Sequence, residues 1–194
     1  MLKALLFFLV FQSVYLFGYS QNYNYTTFDT KLKKDSVIDL KNIDTKLISS
    51  GVLYYTNIYR KSKRKKKLRY SLKLEKAASI HSSEMEKHNF FDHTNRKNRK
   101  FRNLDDRIDY VGYSTFLEIA ENIYYGFVNL NDIETYSEIS NTITEAFIAS
   151  RTHKLNLLDK GLKEIGMKIV FTKDADEQFL YYYFTQNFGT LYKP

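Results

Sequence analysis

The chain has 194 residues, with 30 Lys and Arg against 22 Asp and Glu, a net charge of +8, and no Cys. That length suits one domain whose core buries about 70% of the unfolded chain's surface, so the fold does not need disulfides, and without a cysteine a lipid anchor on a thiol is excluded. The basic excess points to anionic partners.

The first twenty residues carry one charge, Lys3, then an apolar run over 4–17 and the small-residue pattern Gly18-Tyr19-Ser20. This is the composition of a secretory signal peptide, with cleavage expected after Ser20 and a mature start at Gln21. The run is shorter than the roughly 20 residues that span a bilayer, so a retained anchor is the lesser reading. Export would place the protein in a periplasm or outside the cell and removes any nuclear-localisation reading of its basic runs. Residues 21–44 are polar and without helical period, a linker or N-terminal arm, and Asn24-Tyr25-Thr26 within them is a short, common glycosylation pattern.

A helix is predicted from Thr45, with Leu47, Leu53, Tyr54 and Ile58 on one face, dissolving after Arg60. The run that follows is Arg60, Lys61, Lys63, Arg64, Lys65, Lys66, Lys67 and Arg69, eight basic residues in ten. A second run at 96–102 adds five in seven. Both fall between predicted helices. The plain reading is two solvated loops. The functional reading is a surface for an anionic envelope polymer or acidic lipid, with no specific nucleic-acid role.

Ser71 can cap a second helix, in which Leu74, Ala77, His81 and Met85 recur every three or four residues. His81 lies on that buried stripe and reads as a core histidine hydrogen-bonded to a neighbour, while His88 near the helix end complements the dipole. A third helix is predicted from Ile133, Tyr136, Ile139, Ile143 and Phe147, capped by Asn131 or Asp132 and ending near Ser150, which leaves His153 just beyond it. Strands are predicted at 123–127, 165–171 and 179–188, the last two joined by a polar turn. Helices segregated from a terminal antiparallel pairing make the fold class α+β.

Several segments in this order resemble one family. They are Asn57 and Arg60 in the first helix; the helix over 74–85 leading to Phe91-Asp92-His93-Thr94; Asp106-Arg107-Ile108 and Val111-Gly112-Tyr113; Ala120-Glu121-Asn122-Ile123; Ser150-Arg151-Thr152-His153; Lys163-Glu164-Ile165-Gly166; and Thr185-Gln186-Asn187-Phe188-Gly189. Over residues 45–189 the chain resembles the CAP superfamily of cysteine-rich secretory proteins, venom antigens, plant pathogenesis-related proteins and bacterial relatives, in a bacterial, cysteine-free form. Two departures are visible: Arg151 and Thr152 stand where the family has Pro and Gly before the histidine, and Phe147 stands for a Trp. The resemblance implies a CAP domain over 45–194, an α-β-α sandwich with a small antiparallel sheet between helical layers. It also implies a solvent-open groove in which His93 and His153 can bind zinc, with Glu121 and Glu164 flanking them.

Two imidazoles and two carboxylates suit a divalent metal, although their spacing matches no local metal motif and the grouping rests on the resemblance alone. The alternative is structural: each Glu pairs with a His and no metal is involved. On paper Ser150, His153 and either Glu121 or Glu164 form a Ser-His-Glu set, but nothing in the sequence resembles a nucleophile elbow. The expectation is an exported, monomeric binding module with a metal-competent groove. Two alternatives are a metal-dependent, peptidase-like hydrolase using the same groove, and a lipid- or envelope-polymer-binding surface protein drawing on 17 Tyr and 15 Phe.

Overall fold

The structure is a computed structural model that describes residue 28 and residues 35–113, 115–132, 134–172 and 178–191. The expected signal peptide, its cleavage site, the glycosylation pattern and Ile133 lie outside the described residues. Among the described residues no helix is long and apolar enough to cross a membrane.

Helix α1 spans Thr45–Ser62, and the Asp44 side chain caps it by accepting from the backbone N–H of Lys46 and Leu47. Leu47, Ile48, Val52 and Leu53 are buried, but Ile58 is 48% exposed. The inward position one residue earlier goes to Asn57, whose amide donates to Leu68 O at 3.1 Å and accepts from Leu68 N at 2.8 Å. A side chain thus pairs with the loop backbone as a strand would. The helix also runs on past Arg60. That residue is 1% exposed, so the first member of the basic run is a buried group rather than a surface charge.

Strand β1 (Arg69–Tyr70) leads into α2 (Leu72–His88), where Leu74, Ala77, His81 and Met85 form the buried face that the spacing predicts. Ser71 holds the cap position without a side-chain bond. After a short 3-10 turn at Arg99–Phe101 comes α3, Leu104–Tyr110, entered through a reciprocal Asn103–Asp106 capping box. Strand β2 is longer than expected, Phe116–Asn129, and is followed by α4, Tyr136–Ala149. The cap of α4 is Thr135, not Asn131 or Asp132, because Thr135 and Glu138 satisfy each other's backbone N–H groups. Ser150, extended at φ −76° and ψ 125°, ends α4 and starts α5 (Arg151–Leu158), so His153 sits inside a helix rather than beyond one. Strands β3 (Glu164–Phe171) and β4 (Phe179–Leu191) complete the chain.

The four strands form one sheet in the order β1-β3-β4-β2. β4 pairs antiparallel with β2 (Glu121 opposite Asn187) and with β3 (Gly166 opposite Asn187). β1 pairs parallel with β3, Arg69 opposite Glu164, which makes the sheet mixed rather than purely antiparallel. A parallel neighbour requires a crossover, and the path through α2 supplies it.

Alternation along the strands sends Ile165, Met167, Ile169, Tyr182, Phe184 and Phe188 into the main core with Ile48 and Val52 of α1 and Ile139, Ile143 and Phe147 of α4. The opposite face carries Glu121, Ile123, Gly166 and Tyr183 and receives α2. Gly166 marks the closest approach, since a Cβ there would stand 2.1 Å from Glu75 N and 2.4 Å from Leu74 C. The sheet thus lies between helical layers in an α-β-α sandwich. The described part of the arm belongs to it as well: Phe28 is fully buried, its ring centroid 5.6 Å from that of Tyr54, and Val37 bridges to Thr135.

Candidate functional site

Glu121 and Asn122 are adjacent on β2 and therefore point to opposite faces of the sheet. Glu121 turns toward α2 and is almost wholly buried, so each of its oxygens needs a partner. His93 Nδ1 lies 2.8 Å from Oε1, and Arg107 Nη2 donates to Oε2 at 2.8 Å. The Asn187 amide, oriented to donate, reaches Oε2 at 3.1 Å, and His81 Nε2 stands 3.7 Å from Oε1. Burial alone would raise the Glu121 carboxyl, but the His93 hydrogen bond and the fields of His81 and Arg107 outweigh it and hold it below its ordinary value.

Arg107, fully buried on α3, does more than neutralise this carboxylate. It donates to the carbonyls of Phe101 at 3.1 Å, Arg102 at 3.3 Å and His93 at 3.4 Å, tying the loop that carries His93 to β2. Residue spacing gave no cue to this role, and only its place in the Asp106-Arg107-Ile108 segment marked it. His93 itself keeps a side chain that is 53% exposed. The Glu121 hydrogen bond raises its pKa against the opposing effect of burial. His81 lies in the core as expected, but neither ring nitrogen has a hydrogen-bond partner among the described residues, and burial with the fields of Arg107 and His93 outweighs Glu121, lowering it to about 4 and keeping it neutral.

Asn122 serves the other face. It donates to Gln186 Oε1 at 3.1 Å and to the His153 carbonyl at 3.3 Å, and accepts from Asn156 Nδ2 at 2.8 Å. Asn156 also donates to Glu121 O at 3.2 Å, so α5 is docked on β2 beside the carboxylate. The His153 ring packs edge-on to Phe147, with centroids 5.2 Å apart, in the place where the family resemblance expects a Trp neighbour. Burial and the nearby His93 hold its pKa below the ordinary value. The Ser150 hydroxyl pairs with Thr152 Oγ1 at 3.2 Å and Glu121 with His93, so the Ser-His-Glu set is not assembled.

Glu164 does not join this cluster. On β3 it lies two strands across and two residues along from Glu121, about 12 Å at the Cα by ordinary sheet spacing. Its carboxylate is taken by the Tyr113 hydroxyl at 2.9 Å and Arg69 Nη2 at 3.1 Å. Burial, and then Glu164, push the Tyr113 hydroxyl up, which keeps it a donor. The charged partner that Glu121 does have on its second oxygen is a cation, Arg107. Among the described residues no group of three or more His, Cys, Asp and Glu is arranged to hold a metal ion, and the groups that remain for one are the imidazoles of His93 and His153. Among the described residues eight Phe and Tyr side chains are buried, whereas Phe91, Tyr125 and Phe127 stay exposed toward the far end of the same sheet face.

Comparison with known proteins bears on the fold and the family. None of the curated proteins compared with the sequence matches it. Among solved structures, the chain is similar to an outer surface protein from Borrelia burgdorferi, with a TM-score of 0.59 and 22% identity over 77% of this chain and 97% of that one. It is also similar to an extracellular protein containing an SCP domain from Bacillus anthracis, with a TM-score of 0.56 and 21% identity, covering 77% of this chain but only 41% of that one. A cysteine-rich secretory protein from Staphylococcus aureus gives a TM-score of 0.53 and 18% identity, covering 75% of this chain and 39% of its own. The sequence pattern of the cysteine-rich secretory protein family, CAP, matches residues 53–188, and the chain belongs to that family.

Proposed function

We propose that this protein is an exported ligand-binding module whose working groove runs between His93 and His153 and takes zinc through their two imidazoles. The observation that carries the reading is the 2.8 Å hydrogen bond between His93 Nδ1 and Glu121 Oε1. A carboxylate on one ring nitrogen orients the imidazole and raises the basicity of the other, which is how proteins commonly present histidine to a metal. Arg107 holds that carboxylate from behind, so Glu121 acts as a positioning residue and not as a ligand. His153 is kept neutral at neutral pH and has a lone pair to give. Bound zinc would polarise a ligand oxygen in the groove.

Two nitrogen ligands make a weak, open site, which favours reversible binding over a permanent metal centre. Export is supported by the leader-like composition of residues 1–20 and by the extracellular and surface placement named for the similar structures.

Zinc added at neutral pH should raise the melting temperature by mass action, and a chelator should reverse it. His93→Ala and His153→Ala should each abolish the response, and Glu121→Gln should weaken zinc binding by about tenfold. Acid should remove it too, because the raised pKa of His93 makes protons strong competitors for its lone pair. An equal zinc shift in the wild type and both histidine variants would overturn the reading.

A further inference from the structure

The basic run after α1 is built into a groove. Two cavities of ≈ 730 and ≈ 490 Å³ adjoin, and Lys66, Lys67 and Lys163 line both. One wall is the 64–67 segment. The other comes from far along the chain, where Lys160 and Lys163 project from the connection between α5 and β3. Arg64, Lys66, Lys67, Lys160 and Lys163 are all exposed.

Both walls are pinned from beneath by the same buried side chain. Arg60 donates Nε to Lys66 O at 2.7 Å and Nη1 to Leu157 O at 2.7 Å and Asp159 O at 2.9 Å, bridging the basic loop to the end of α5. Arg69 N donates to Lys163 O at 3.0 Å, and Lys163 N reaches Thr190 Oγ1 at 3.0 Å, so the second wall is anchored to the sheet edge. Glu118 and Asp159 also line the larger cavity, where burial and the Asp159 charge raise the Glu118 carboxyl above its ordinary value, and Gly161 leaves Glu118 room: a Cβ there would stand 2.0 Å from Glu118 Oε2. The backbone spacing of the cations is therefore set before a ligand arrives, which confines the ordering cost to side-chain tips.

We propose that this groove binds a linear polyanionic glycan laid between the two walls. A concave channel with cations on both sides suits an extended chain rather than a planar lipid surface. Among the described residues no aromatic ring lines either cavity, so nucleotide bases have no platform to stack on. The apolar contacts available, Leu117 and Leu191, suit the faces of sugar rings.

The probe is a heparin decasaccharide, titrated into the full chain by calorimetry at several salt concentrations. Lys65→Gln/Lys66→Gln on one wall and Lys160→Gln/Lys163→Gln on the other should each weaken binding by about tenfold at low salt and lower the salt slope by about two. Arg96→Gln/Lys97→Gln removes the same charge from the second basic run and should leave binding unchanged. The proposal fails if that control loses as much as the wall variants, since net charge alone would then explain the affinity. It also fails if the decasaccharide does not bind, or if phosphatidylserine vesicles or double-stranded DNA compete it away at equal charge concentration.

Discussion

At the scale of single residues, the cluster around Glu121 is a question of how one buried carboxylate is satisfied. Arg107 and Glu121 are both cut off from water, and their 2.8 Å contact replaces hydration for both. Removing one partner leaves the other charge buried, so Arg107→Met should destabilise the fold by about 3–5 kcal/mol. The double variant Arg107→Met/Glu121→Gln should recover part of that loss in urea unfolding, and two additive single effects would show that the pair is not coupled. His81 supplies the pH dependence. Its folded pKa is lowered from 6.5 to about 4, so between those values the unfolded chain takes up a proton that the folded chain refuses. Stability is therefore present above pH 6.5 and lost as pH falls toward 4, by about 3 kcal/mol. His153, also lowered, acts in the same direction, whereas the raised pKa of His93 acts only as pH rises above its ordinary value. His81→Leu should remove most of the slope in that window, and stability curves that stay parallel to wild type would refute the assignment.

At the scale of elements, the sheet is clamped between α2 and α5 through features that periodicity does not announce. Gly166 allows the backbone of α2 to approach β3, with Glu75 N and Leu74 C inside normal Cβ contact distance. Both obstacles are main-chain atoms and cannot rotate away. Gly166→Ala should cost about 1–3 kcal/mol through overpacking, read as a lower urea midpoint with an unchanged slope. An unchanged midpoint would mean that α2 can shift outward without penalty. On the other side, Asn122 and Asn156 dock α5, which explains how His153 is presented without the Pro and Gly the family resemblance leads one to expect. Ser150 provides the bend between α4 and α5 in an ordinary extended conformation. The cap of α4 went to Thr135 because Glu138 sits three residues on and completes the reciprocal pair, a pattern visible in the sequence but obscured by reading Ile133 into the helix.

At the scale of the whole molecule, what the sequence by itself determined was the main elements and the family, whose resemblance implied the layering. The spacing of Leu74, Ala77, His81 and Met85 put one face of α2 inward, the alternation over 165–171 and 179–188 located β3 and β4, and the ordered segments around His93, Glu121 and His153 indicated the family. Local periodicity carries this information because burial acts on one face of an element at a time. Tertiary structure alone decided the partners. His93 and Arg107 reach Glu121 across 28 and 14 residues, and Arg60 reaches Leu157 across 97. Strand register and helix docking set those meetings, and neither is written in the period of a segment. For the same reason Glu164 shares a sheet face with Glu121 yet belongs to Arg69 and Tyr113, and a run of charge that reads as a solvated loop becomes one wall of a groove. The parallel edge strand β1 could not be read either: with 2 residues it has no alternation to detect, and it exists because β3 offers it an unpaired edge once the sheet has formed.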